Sequence, residues 1–247
     1  MSQLILHIPH SSISIPLKDG YVVNDDVLNL ELLKLTDWHT EDLFCSETDI
    51  MIIANFSRIF CDPERFADDS KEIMSQFGMG VLYERTDGGE LMRTISSQLR
   101  ERILSEYYWR HHNNLTQAVE DQLEKFSKAI IIDCHSFPDQ PFISSVNKRT
   151  DRPDFNIGTD SFHTPLKFVD ASVDFFRSRG YSLGIDWPYN GSIVPTKYYQ
   201  QEDNVQSIML EINRKLYLVE KSNRKLPGYH DIRKITHDYI EIIRQCS

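Results

Sequence analysis

Short, nearly unbroken apolar runs alternate along this chain with longer stretches of helical periodicity. Leu4-Ile5-Leu6-His7-Ile8 reads as a first strand, stopped by Pro9. Between Asp25 and Phe44, Leu28, Leu32, Leu35 and Leu43 fall on roughly one side of a predicted helix. Asp49 to Phe56 is a short apolar run suited to a buried strand. Residues 58–93, rich in charge, Gly and Asp, read as a long loop region. Thr94 to Lys128 has the stripe of a long helix, carried by Leu99, Ile103, Tyr107, Leu115, Val119 and Leu123. A second buried strand follows at Ala129 to His135, then a loop-rich stretch from Ser136 to Pro165. The pattern continues with a helix (Leu166 to Arg179), a strand (Tyr181 to Asp186) and a loop around Trp187 to Gly191. It closes with a strand (Ile208 to Ile212) and a helix from about His230 to Arg244. Strands alternating with helices, with no repeat or linker between them, predict one α/β domain over residues 1–247 with a largely parallel sheet. Ligands of such sheets bind beyond the strand ends, so polar residues there carry the candidate chemistry.

Composition narrows the classes. With 40% hydrophobic and 26% charged residues, the chain can bury a sizeable core. No stretch approaches the roughly 20 apolar residues of a membrane span. The N-terminus lacks the basic region and apolar run of a secretory signal, so a cytoplasmic protein is expected. A formal net charge of −10 argues against nucleic acid as a partner, while leaving room for a small anion held by a few inward-pointing arginines. The cysteines, Cys45, Cys61, Cys134 and Cys246, have no CxxC spacing and read as free thiols. A metal would have to be held by His and carboxylates.

His135 ends an apolar strand as Asp133-Cys134-His135-Ser136, where a rigid backbone can present an imidazole to a cleft. Taken alone, a partly buried strand-end histidine is an equally good reading. Asp133, facing opposite to Cys134, can brace the site from behind or pair with a helix. His10 has the same placement after the first strand, and adjacent strands would bring the two imidazoles to one metal. A catalytic zinc takes three protein ligands, and Asp37 or Glu41, with His39 behind them, could supply the third. Glu211 falls on the opposite face from Ile208, Leu210 and Ile212. If that strand is interior, burial lifts the carboxyl toward neutrality and suits it to act as a general base. On an exposed edge it would mean nothing. Arg58 and Arg65 flank Asp62 and could clamp a carboxylate or an oxyanion, or simply form a local ion-pair network. His111-His112 sit in the long helix, facing either the cleft or ordinary packing.

Together these segments resemble the N-formylglutamate amidohydrolase family. The resemblance is carried by Pro9-His10-Ser11-Ser12, Thr36-Asp37-Trp38-His39-Thr40-Glu41-Asp42-Leu43, Ser57-Arg58 through Asp62 to Arg65, Trp109-Arg110-His111-His112, Asp133-Cys134-His135-Ser136, Pro153 to Thr159, and Leu210-Glu211-Ile212-Asn213-Arg214, in family order. It implies a three-layer α/β/α domain around a mixed, mainly parallel sheet, phosphorylase/hydrolase-like and similar to zinc carboxypeptidases and aspartoacylases. It also implies one zinc ion per chain and hydrolysis of a small anionic N-acyl amino acid such as N-formylglutamate. His135 is then a ligand beside His10, and Glu211 the base. Those relatives carry His-x-x-Glu, whereas Ile13 stands three residues after His10; Asp37 is therefore the expected carboxylate ligand over Glu41. Arg58 would bind the oxyanion or the substrate carboxylate and Arg65 the carboxylate, with Asn190 and Gly191 closing the pocket. Cys61-Asp62-Pro63-Glu64-Arg65 departs from the commoner Asp-x-Asn-Arg form. A metallocarboxypeptidase or peptide amidase, or a binding protein without turnover, are the rival functions.

Overall fold

The computed structural model describes residues 3–246. Its centre is a six-stranded sheet of β1 (Ile5–Ile8), β2 (Ile50–Ile53), β3 (Ala129–Phe137), β4 (Phe155–Gly158), β5 (Leu183–Ile185) and β6 (Val205–Asn213), in the order β2-β1-β3-β6-β4-β5. β2, β1, β3 and β6 run parallel; β4 pairs antiparallel with β6 and parallel with β5. The sheet is thus mixed and mostly parallel, as expected.

The helices are α1 (Asp25–Leu35), α2 (Thr40–Leu43), α3 (Ser97–Ile103), α4 (Trp109–Phe126), α5 (Leu166–Ser178) and α6 (Tyr229–Gln245). Strand alternation sends Leu4, Leu6, Ile8, Ile130, Ile132, Cys134, Ile208, Leu210 and Ile212 to one face, where Phe168, Phe175 and Phe176 of α5 and Tyr239, Ile240 and Ile243 of α6 cover them. Ile5, Ala129, Ile131 and Val205 point the other way, onto Leu115, Ala118 and Val119 of α4. This second face changes character along the strands. Apolar Ile5 and Ile131 give way, toward the strand ends, to His7, Asp133 and His135, with Glu211 beside them on β6. Among the described residues no helix is long and apolar enough to cross a membrane.

Three expected elements are corrected. The helix predicted through Phe44 stops at Leu35, because Asp37 donates its N–H to the His10 carbonyl at 2.9 Å rather than to the helix ladder. His39, in the left-handed region at φ 66°, then starts the short α2. Asp37 and Glu41 consequently do not share a helix face. The long helix begins at Ser97, capped by Ser96, and contains a π-turn over Leu104–Tyr108 between α3 and α4. The stretch expected to be loop from Ser136 to Pro165 contains β4, whose four residues are too few to show a period.

Candidate active site

The ends of β1, β3 and β6 meet α1's C-terminal turn at a cleft of about 670 Å³. His10, Asp37, Arg58, Arg65, His135, Asn190, Gly191 and Glu211 all line it, so the residues expected to bind metal, substrate and protons come together there. Glu41 is exposed and stays outside; His39 instead bonds the Asn223 carbonyl at 2.9 Å.

Each of the two strand-end imidazoles is held from behind. His10 Nε2 lies 2.8 Å from Asp62 Oδ1, which makes Nε2–H the donor and leaves Nδ1 bare. That Nδ1 is buried without a hydrogen-bond partner among the described residues. His135 Nε2 lies 3.1 Å from both Asp133 Oδ1 and Glu64 Oε1, while its Nδ1 faces Asp37 Oδ2 at 3.3 Å. Asp37 is fixed through its other oxygen, which accepts from the Arg214 guanidinium at 2.7 Å, and Oδ2 accepts the Ser136 N–H at 3.2 Å. His10 Nδ1, Asp37 Oδ2 and His135 Nδ1 thus point at one another, and the three residues offer ligand atoms all within 4.8 Å. Three lone pairs aimed at one small volume repel unless a cation or a proton sits among them.

Ionisation follows from this crowding. Burial disfavours charge on Asp37, but the facing imidazoles of His10 and His135, with Arg214 beside it, hold its carboxyl well below the usual range. Burial also opposes the imidazolium of His135, yet Glu64 and Asp133 keep its pKa well above the ordinary histidine value. Glu211 differs from both. The residue is 6% exposed, and Oε2 is buried without a hydrogen-bond partner among the described residues. Burial raises its pKa to about 7, against the opposing pull of His135. β6 is interior, flanked by β3 and β4, so the exposed-edge reading of Glu211 is excluded.

The arginine segment is more than a local ion pair. Asp62, fully buried, accepts from His10 Nε2, from Arg58 Nη2 at 3.0 Å, from Tyr83 Oη at 2.8 Å and from the Glu64 N–H at 3.1 Å. Arg65 shares the same carboxylate at 3.6 Å, and its Nε is buried without a hydrogen-bond partner among the described residues. An amide at this position must turn its NH2 toward one of four donors. Asp62→Asn is therefore expected to destabilise the fold by about 3–5 kcal/mol, the usual effect of breaking a buried charge pair. A melting temperature unchanged from wild type in calorimetry would contradict this.

Four contributions were missed in the sequence. Glu64 stands among three imidazoles, with Oε1 3.1 Å from His135 Nε2 and 3.6 Å from His7 Nδ1, and Oε2 3.8 Å from His10 Nδ1. Arg214 holds Asp37, and Asp62 orients His10 as well as Arg58. His7, Asp133 and Glu64 form a second group able to hold a metal ion, in contact with the first through His135 Nε2. Strand alternation was the available signal for His7, since it shares a face with Ile5.

Among solved structures, the N-formylglutamate amidohydrolase of Ralstonia eutropha is similar over 99% of this chain and 93% of its own, with 21% identity and a TM-score of 0.84. A gene product of Agrobacterium tumefaciens is similar over 98% and 92%, with 16% identity and a TM-score of 0.66. Likeness at this level of identity establishes the fold. Comparison with curated protein sequences gives no match. The sequence profile of N-formylglutamate amidohydrolase, however, matches residues 2–218, and the chain belongs to that family.

Proposed function

We propose that this protein is a zinc-dependent amidohydrolase that cleaves the amide bond of a small N-formyl amino acid such as N-formylglutamate. One observation carries the reading: the bare Nδ1 of His10 converges with Asp37 Oδ2 and His135 Nδ1, beside Glu211, the register partner of His135, whose buried Oε2 has no hydrogen-bond partner among the described residues. Two imidazoles and one carboxylate are a donor set that zinc takes at catalytic centres, with a further position left open. When bound there, zinc supplies Lewis acidity, polarising the scissile carbonyl and lowering the pKa of water at the site.

The chain's own groups do the rest. Glu211 takes a proton from water as its oxygen adds to the formyl carbon. The same carboxyl delivers that proton to the nitrogen as the C–N bond breaks, giving formate and a free amino acid. Arg58 faces the developing oxyanion or a substrate carboxylate, and Arg65 a carboxylate. Asn190 and Gly191 form the wall; Gly191 has φ 87°, and the Asn156 side chain ties this loop to β4 by donating to the Tyr189 carbonyl at 2.9 Å. The formal charge of the cleft is set by pairing: Asp37 neutralises Arg214, while two arginines share Asp62. Arg65 also lies 3.7 Å from Glu72 Oε1, so a substrate carboxylate would share its guanidinium with that side chain.

Metal analysis combined with a substrate panel tests the proposal. Protein purified without added metal should carry zinc or gain activity on its addition, and release formate from N-formylglutamate faster than acetate from the N-acetyl compound. Cleavage of unblocked peptides alone would make the protein a peptidase. Failure to bind zinc, with no turnover after zinc addition, would favour a binding protein.

A further inference from the structure

The paired histidines of the long helix remain outside the mechanism above, yet one of them is wired to its centre. His111 Nε2 lies 2.8 Å from His7 Nε2, and His7 Nδ1 lies 2.8 Å from Asp133 Oδ1. Asp133 Oδ1 in turn lies 3.1 Å from His135 Nε2. All four side chains are buried, with 1–5% exposure. The chain of contacts crosses three elements: α4, β1 and β3.

We propose that His111 is a positioning residue, which acts through His7 and Asp133 to fix the tautomer of His135 that turns Nδ1 toward the cleft. A carboxylate only accepts, so both imidazole nitrogens facing Asp133 Oδ1 carry protons. His7 is then protonated on Nδ1. Only one proton fits between the two Nε2 atoms at 2.8 Å; in the proposed arrangement it belongs to His111, and His7 Nε2 accepts it. Protonation is thus directed one way, from His111 to His7 to Asp133, and the last acceptor is shared with His135 Nε2–H. Asp133 is pinned further by its other oxygen, which accepts the Ile193 N–H at 3.0 Å from the cleft wall. Without a donor from His111, the buried Nε2 of His7 loses its partner, and the ring is no longer held in the orientation that aims Nδ1–H at Asp133.

Two features of the helix fit this role. The π-turn over Leu104–Tyr108 adds a residue immediately before α4, and such turns recur at functional sites. It sets the register that brings His111 and Leu115 inward together. The neighbouring His112 is used separately: its Nε2–H donates to the Pro63 carbonyl at 2.8 Å, holding the backbone next to Glu64. Phe56 packs edge-on against the His111 ring at 6.2 Å, and burial pushes the pKa of His111 down to about 2, which keeps the ring neutral.

The inference rests on the reading of His135 as a zinc ligand, and the experiment separates the two. Ring ¹⁵N NMR of the metal-free and zinc-loaded protein reads each histidine's protonated nitrogen, and competition with a chelator reads zinc affinity. Expected in the wild type are His7 protonated on Nδ1, His111 on Nε2, and, with zinc, His135 on Nε2. His111→Leu should lose the His7 pattern and weaken zinc binding by about 10–100-fold, the usual effect of losing an outer partner of a metal ligand. His111→Gln, whose amide can donate where Nε2–H did, should restore both. His7→Asn, which keeps a donor to Asp133, should make zinc affinity insensitive to residue 111 and guards against a misfolded leucine variant. Unchanged ring patterns and affinity in His111→Leu would overturn the proposal. So would two bound metal ions per chain with one lost in His7→Asn, since His7 would then be a ligand. If zinc fails to bind at all, the functional reading falls, while the metal-free spectra still decide the direction of the His111–His7 hydrogen bond.

Discussion

Glu211→Gln is expected to lower kcat by about 10²–10⁴-fold, the range of a lost general acid–base group, with zinc content unchanged. The residue sits on an interior strand, in register with His135 of β3 on one side and Asn156 of β4 on the other. Glutamine keeps the volume and the rotamer, so the packing around β6 has no reason to shift. What is lost is the ability to take a proton from water and return it to the leaving nitrogen. Because that group acts in the transition state, kcat and kcat/KM should fall together, with KM nearly constant. Removing an ionisable group with one oxygen buried and unpartnered also removes a desolvation cost. The variant should therefore melt no lower than wild type, and possession of a stable fold separates lost chemistry from lost structure. Steady-state formate release, metal content and calorimetry on the same preparation check all three. A variant retaining more than about a tenth of the wild-type rate would remove Glu211 as the base.

Much of this site could be read before the fold was known, and the reasons are local. His135 and Glu211 interrupt apolar runs, and an expensive group in a buried strand announces itself in a periodic pattern. β1, β3 and β6 were legible for the same reason. β4 was not, being four residues among prolines, and its antiparallel pairing depends on which strand lies beside it. The choice of Asp37 over Glu41 illustrates the limit differently. Helical spacing put both on one face, and only a tertiary hydrogen bond, from the Asp37 N–H to the His10 carbonyl, breaks the helix and separates them. Glu64 lies in an irregular segment and Arg214 in a single 3-10 turn after β6, where no periodicity shows which way a side chain points. Their positions are set by long-range contacts: Arg214 to Asp37 across 177 residues, and Glu64 to His135 across 71.

Removal of metal should stop turnover and lower the melting temperature, and His10→Gln should abolish that thermal response. A ligand that binds only the folded state stabilises it by about 2.7 kcal/mol at a hundred times its Kd. For a chain of this size that corresponds to a shift of roughly 5–10 °C. Without the cation, the mutually facing donors of His10, Asp37 and His135 must be relieved by protonation or by movement, which adds to the loss. His10→Gln is the discriminating variant because a glutamine amide can occupy the place of Nε2 and still donate to Asp62, while deleting Nδ1. The Asp62 cluster with Arg58 and Tyr83 thus keeps its partners, and only the donor toward Asp37 disappears. Zinc affinity should fall by more than the 10–100-fold typical of a lost outer-shell contact, since a direct ligand is gone. Calorimetric scans with and without a chelator distinguish the cases. Wild type and Glu211→Gln should both shift with zinc, and His10→Gln should not. A wild-type melting temperature indifferent to chelator and zinc, or a His10→Gln variant that responds as wild type does, would take His10 out of the metal site.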